Sequence, residues 1–523
     1  MDSRCVPARC FVIAAMMVLL VLAAVAVSAQ RPMVGFTDIT ERAGVSGIPQ
    51  HGGHGAQVVD VNGDGHLDLH VTNIFTEGQP FPDELYLGRG DGTFQDVSAT
   101  CGLAGNGSGT HGTVFADLDG DGDLDCFKAR TLEPQNALWL NDGEASFTEA
   151  ADIGLARATA TAQIGTRGVV AADFDKDGDV DLFALCNDGN ANELYINDGK
   201  GRFSEEAAKR GIADPREMGT GYAGLGQGCT AADYDNDGDV DIYTCIRGMD
   251  NRLWQNDGRG YFTDVAKQAG VNCRGGGDGA AFADIDNDGD LDLLADAGGQ
   301  NLVMLIYRNN GDGTFRDETL EQGVQGGSYG PALGDVDNDG DVDLYVPRDY
   351  QGHSLYLNDG RGVFAQLRGA EAVLMQAEGP TVLPPSVAQN RQRDARCAVF
   401  ADVDEDGDLD IMVVCKRGFN VLLRNDYNAG RWLQVSVQGP GGLNECLGAK
   451  VSVFERGGLG NLRRLVGFQE VRSATGYCGQ APPVLHFGLG SRQRVELQVV
   501  YPDGHTVQQR GVAGDQVVVV RRR

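Results

Sequence analysis

The chain has 523 residues, with 75 Asp plus Glu against 43 Lys plus Arg and a formal net charge of −32. A balance this acidic, with no basic stripe and no interleaved aromatics, excludes a nucleic-acid-binding surface. It leaves two readings: an acidic or disordered tail, or acids gathered at a few places for a reason.

At the N-terminus, Cys10–Val27 is an uncharged apolar run behind Arg4 and Arg9, and Val27-Ser28-Ala29 is a small-residue cleavage site. Residues 1–29 read as a cleaved secretory signal, with an uncleaved anchor as the alternative. No later segment is long and apolar enough to span a bilayer. The expected location is therefore secreted and extracellular.

From residue 30 to 427 one acidic loop recurs seven times. The first copy offers Asp60, Asn62, Asp64, His66 and Asp68 at positions 1, 3, 5, 7 and 9. The second offers Asp117, Asp119, Asp121, Asp123 and Asp125, and the third Asp173, Asp175, Asp177, Asp179 and Asp181. The fourth has Asp233, Asp235, Asp237, Asp239 and Asp241, and the fifth Asp284, Asp286, Asp288, Asp290 and Asp292. The last two have Asp335, Asp337, Asp339, Asp341 and Asp343, then Asp402, Asp404, Asp406, Asp408 and Asp410. Position 6 is always Gly. A loop that alternates oxygen ligand and spacer wraps a hard cation such as Ca²⁺, with a backbone oxygen added at position 7 and a sharp turn at the Gly. Thirty-three of the 75 acids stand at these odd positions, and the remaining 42 nearly balance the 43 basic residues. The charge is there for cations, up to seven Ca²⁺ in a structural role. The first loop should bind most weakly, because Asn62 and His66 replace two acids.

An EF-hand is excluded, since its bidentate Glu at position 12 is here Val71, Lys128, Ala184, Thr244, Ala295, Val346 or Val413. The segment after each loop (LDLHV, VDLFAL, VDIYTC) is short and β-branched, and reads as a strand. Loop starts are 57, 56, 60, 51, 51 and 67 residues apart, room for about four short strands per unit. Each unit then carries an apolar strand into a Gly turn, such as LYINDG or LWQNDG, and a Phe-led strand such as FTDVA. The last unit lacks its Phe strand, while a spare, Phe36–Thr40, precedes the first loop. If that segment completes the last unit, the ring closes. The expected fold is all-β: a seven-bladed β-propeller over 30–427, followed by a small β-sandwich-like domain over 428–523.

These repeats resemble the FG-GAP type of the integrin α-chain head, in which a calcium loop joins the first two strands of a blade on the lower face. In the C-terminal segment, WLQVSV, AKVSVFE, RVELQVVY and QVVVV read as strands. GAKV, SATGYCGQAPPVLHFGLG and VVYPDG are similar to the ASPIC/UnbV module. The pairing of that module with FG-GAP repeats resembles the cartilage acidic protein family.

Ten cysteines lie beyond Ala29. Counting outward from the middle of a loop pairs Cys229 with Cys245 and Cys397 with Cys415 as cross-strand neighbours. Cys446 and Cys478 form a third candidate pair, and Cys101, Cys126, Cys186 and Cys273 stay unpaired or free. Asn106-Gly107-Ser108 fits a glycosylation acceptor if the source is eukaryotic. Arg89-Gly90-Asp91 falls where other repeats have a hairpin turn, which argues against an adhesion motif.

Six residues before each loop, at the start of what should be the innermost strand, stand His54, His111, Arg167, Gln227, Asp278, Tyr329 and Arg396. Asn73, Arg130, Asn187, Arg247, Arg348 and Arg417 lie at the end of the following strand. Together they predict a basic, His-containing rim opposite the calcium loops. Two functions are compatible with such a rim. One is an extracellular binding, adhesion or matrix-type protein, with a protein, glycan or small anionic partner. The other is a calcium-stabilised enzyme of isomerase, lyase or cyclase type, using His54, His111, Arg167, Asp278, Tyr329 and Arg396 around a small substrate. The absence of any nucleophile elbow, phosphate loop or zinc pattern favours binding.

Overall fold

The computed structural model describes residues 35–522 apart from short segments, the longest being 75–81, 156–164, 215–224 and 378–393. Residues 1–29, which the sequence reads as a signal segment, Asn106 and Arg348 lie outside the described residues.

Each acidic loop joins two antiparallel strands, and two more complete a four-stranded meander. In the fourth unit these are Leu225–Ala232, Asp241–Arg247, Arg252–Asn256 and Phe262–Asp264. Seven such sheets are described, led by Gly53–Val59, Thr110–Ala116, Thr166–Ala172, Leu225–Ala232, Ala280–Ala283, Ala332–Gly334 and Asp394–Ala401. Each leading strand lies against the leading strand of the next sheet, and Asp394–Ala401 lies against both Ala332–Gly334 and Gly53–Val59. This is the propeller arrangement, in which radial repetition hides sheet edges. The leading strands are small and apolar because they are buried on both faces. They crowd at the axis: a Cβ on Gly112 would sit 2.1 Å from the carbonyl oxygen of Arg167, and one on Gly228 2.6 Å from that of Asp278. Only glycine tolerates such an approach.

The N-terminal segment closes the series. Gly35–Asp38 pairs antiparallel with Val421–Asn425, Phe36 opposite Asn425, so the sheet carrying the Asp402 loop takes its fourth strand from the start of the chain. Val373–Ala377 adds a fifth, parallel strand outside it. Apolar residues of neighbouring sheets fill the space between them, as Tyr243 and Leu253 do with Phe282 and Leu293.

Residues 431–521 form two further sheets. One orders Leu485–Gly490, Arg431–Gln438 and Val517–Arg521; the other orders Leu465–Glu470, Lys450–Glu455, Arg494–Val500 and Thr506–Ala513. Val435, Val451, Val453, Leu497 and Val499 are among the buried residues of their shared core.

The cysteine register differs from expectation. The hairpin closes between Ala232 and Asp241, which sets Cys229 opposite Thr244 and not Cys245. In the last sheet Cys397 faces Val414, and Cys415 faces Ala395. A one-residue offset sends side chains to opposite faces of a sheet. Cys229 and Cys245 thus enter different cores, as do Cys397 and Cys415. Cys446 lies in the core of the C-terminal module, whereas the Cys478 Sγ lies 3.7 Å from the Arg167 carbonyl of the propeller. Cys101, Cys126, Cys229, Cys245, Cys397 and Cys478 are free thiols.

Candidate metal centres and the channel mouth

The seven loops share one backbone design. Position 6 glycines have φ between 91° and 107°. Position 4 is also left-handed in every loop, at Gly63, Gly120, Lys176, Asn236, Asn287, Asn338 and Glu405. The first of these turns is legible in the sequence; the second is not, because only two of the seven loops carry glycine there. In each loop the N–H of the position 6 Gly donates to the position 1 carboxylate, as in Gly238 to Asp233 Oδ2 at 2.8 Å.

The position 9 aspartates act as clasps. Asp181 accepts the N–H of Phe174 on one oxygen and of Asn197 on the other, at 3.1 and 2.8 Å. It is fully buried. Burial pushes its carboxyl up to about 8, and those of Asp68 and Asp125 to about 7. Carboxylates so placed call for a cation to hold them ionised. The carboxylate oxygens of Asp117, Asp119 and Asp125 lie within 4.8 Å of one another, as do those of Asp173, Asp175 and Asp181, and of Asp233, Asp235 and Asp241. Asp284, Asp286 and Asp288, and Asp335, Asp337 and Asp339, form like groups. At position 3, Asp175 Oδ1, Asp286 Oδ1 and Asp404 Oδ1 are buried with no protein donor. This donor set, hard oxygens with unused lone pairs, fits Ca²⁺.

The C-terminal module rests on this loop face. Lys450 Nζ is 2.6 Å from Asp233 Oδ2, and Gln434 Nε2 donates to Asp402 Oδ2 at 2.7 Å. His486 Nε2 lies 2.7 Å from Asn338 Oδ1. Between its strands Leu465–Glu470 and Leu485–Gly490, the module sends residues 471–481 into the propeller axis. Ser473 Oγ bonds the N–H and carbonyl of Ala171, and Gln480 bonds the N–H and carbonyl of Phe115, all at 2.7–2.9 Å. The Gln480 backbone pairs with Ala56 and Val58, and Ala280 N–H donates to the Gly476 carbonyl. The inserted segment therefore bonds the leading strands of several blades.

At its tip, Tyr477 is 2% exposed. Its ring centroid lies 6.1 Å from His54 and 5.4 Å from Tyr329. His54 and His111 meet edge to face at 4.8 Å. The Arg396 guanidinium lies 3.8 Å over Tyr329, and Arg167 donates to Gln227 at 2.5 Å. Asp278 takes a bidentate pair from Arg247. The predicted rim residues do converge, yet they gather round Tyr477 and not round open space. Burial lowers both imidazoles well below their usual range, aided by Arg396 at His54 and by Arg167 at His111, so both are neutral. Of the strand-end residues, Arg130 instead bonds Glu149 and lies over Trp139, and Asn73 donates its N–H to Asp83 Oδ1 and its side-chain amide to the Pro82 carbonyl. Spacing in the sequence held no sign of the insertion. The string SATGYCGQ was legible as a family mark, but its destination was not.

Repeated four-stranded sheets, acidic loops between their first two strands and a separate C-terminal β module define an FG-GAP-type propeller. The FG-GAP-like repeat model matches residues 60–127, 130–184, 173–244, 233–295 and 297–346, and the ASPIC and UnbV model matches 439–523. The chain belongs to the FG-GAP-like repeat family and carries an ASPIC/UnbV module.

It is similar to cartilage acidic protein 1 of Homo sapiens, 24% identical over 88% of this chain and 61% of that protein. The Mus musculus protein is 25% identical over 89% of this chain and 72% of its own length. The chain thus spans about three fifths of the human relative. Among solved structures, an Agrocybe aegerita lectin specific for non-reducing terminal N-acetylglucosamine is 18% identical, with a TM-score of 0.42 over 68% of this chain and 92% of its own. A six-bladed β-propeller lectin from Aleuria aurantia, with a fucose recognition mode, is 10% identical, with a TM-score of 0.35 over 60% of this chain and 94% of its own. Among the described residues no helix is long and apolar enough to cross a membrane.

Proposed function

We propose that the chain is a secreted, calcium-binding seven-bladed propeller that acts outside the cell as a matrix-type or adhesive binding protein. Calcium is structural in this reading. One observation carries it: buried carboxylate oxygens at the third position of three loops, Asp175, Asp286 and Asp404, have no donor from the protein. Left uncompensated, such oxygens cost stability; a divalent cation in each loop removes the cost. Millimolar extracellular calcium suits loops of modest affinity. The partner is an extracellular protein, a glycan or a small anion.

The enzymatic alternative loses support from Tyr477, which fills the space where a substrate would meet His54 and His111. A metal count on protein purified in millimolar calcium, followed by a binding screen against glycans and matrix proteins with and without chelator, tests the proposal. Protein that carries no Ca²⁺ after such purification would overturn it.

A further inference from the structure

Departures from the repeat coincide between the first and second sheets. Eleventh in the loop-and-strand unit stands an aromatic or aliphatic residue in six copies, but His70 in the first. Twelfth stands a small or β-branched residue in six copies, but Lys128 in the second. In four sheets the second strand is capped by an asparagine, Asn136, Asn192, Asn251 or Asn420, whose Oδ1 accepts a backbone N–H. The first sheet uses Asp83 instead, and its Oδ1 accepts from Asn73 N–H at 2.9 Å.

Folding brings these exceptions together away from water. Lys128 Nζ is 2.7 Å from Asp83 Oδ2, and both side chains are 3% exposed. The lysine also donates to the Leu103 carbonyl and lies 4.8 Å over the Trp139 ring. His70 Nε2 stands 3.9 Å from the same Asp83 oxygen and has no hydrogen-bond partner. Its Nδ1 is 2.7 Å from Gln57 Oε1, and Gln57 is oriented by its Nε2, which donates to the Cys478 carbonyl at 2.9 Å. The proton therefore sits on Nδ1, and Nε2 presents a lone pair to Asp83.

Two desolvated charges are a costly resting state, and a neutral amide of similar shape avoids that penalty. We propose that Lys128 and Asp83 are joined by an isopeptide bond formed by the folded chain itself. A proton passes from the ammonium to Asp83 Oδ2, giving a neutral amine and a carboxylic acid. The Nζ lone pair attacks Cγ, and the negative charge developing on Oδ1 is held by the Asn73 N–H. The attacking nitrogen gives a second proton to His70 Nε2, which returns it to Oδ2 as the Cγ–Oδ2 bond breaks. One water leaves, and no oxidant or further reactant is consumed. The bond ties the second strand of one sheet to the lead-in of the third strand of its neighbour, so these two blades cannot part.

Intact mass spectrometry of the full secreted chain, reduced and freed of glycans, tests this. The mass should fall one water short of the sequence, and digestion should yield a branched peptide joining Asp83 to Lys128. Lys128→Met should restore the full mass. A natural chain of full mass overturns the proposal, as does a water loss mapped to one linear peptide, the mark of a local imide. The unsubstituted chain decides the matter even if the variant misfolds.

Discussion

Asn256 Nδ2 in the fourth sheet donates to the carbonyl of Phe174 in the third sheet, 2.8 Å away. The same residue takes the Gly258 and Gly260 N–H groups on its Oδ1. Its own N–H binds Asp241 of the acidic loop. The Asn of the Asn-Asp-Gly turn is therefore a tie between blades as well as a hairpin residue. Asn141, Asn197, Asn309, Asn358 and Asn425 repeat it, each bonding a carbonyl in the preceding sheet at 2.7–2.9 Å. Replacing Asn256 with Ala strands a buried carbonyl, at roughly 1–3 kcal/mol. Urea unfolding at constant calcium should show that loss, with the slope unchanged.

Calcium removal should act on all blades at once. If each loop binds at about 10⁻⁴ M and the medium holds about 10⁻³ M, each contributes roughly 1.4 kcal/mol. Several such terms approach the whole stability of a domain, about 5–15 kcal/mol. Calorimetry in chelator should show a steep fall in melting temperature, and an unchanged melt would refute the structural role. Asp284→Ala should remove one increment and one bound ion.

The inserted segment should be rigid while Gln480 is present. Its side chain bonds both the N–H and the carbonyl of Phe115 at 2.9 Å. Gln480→Ala orphans two buried backbone groups, at roughly 1–3 kcal/mol each. Limited proteolysis should then cut between residues 471 and 481, where the natural chain resists.

Peptide mapping without reduction should find no Cys229–Cys245 and no Cys397–Cys415 bridge. The register places each pair on opposite faces of its sheet, beyond the reach of disulfide geometry. Detection of either bridge would mean the hairpins are shifted by one residue.

Fold class and the clustering of the loop carboxylates were legible because both are local and repeated. A nine-residue ligand pattern, a Gly turn and a strand-length spacing each recur, and a repeat whose units cannot bury themselves alone must stack. The closing strand Gly35–Asp38 could be read for the same reason, as the one motif missing at one end and spare at the other. Register and occupancy were not local. Whether Cys229 meets Cys245 depends on where the hairpin closes, a one-residue matter that composition does not carry. That Tyr477 fills the axis, and that Lys128 reaches Asp83, depends on contacts between residues far apart in the chain, set when sheets and module pack together. Residue order alone therefore specified an acidic-loop propeller followed by a β module. Packing settled that the module enters the channel and which buried charges meet, because side-chain encounters across sheets leave no periodic trace.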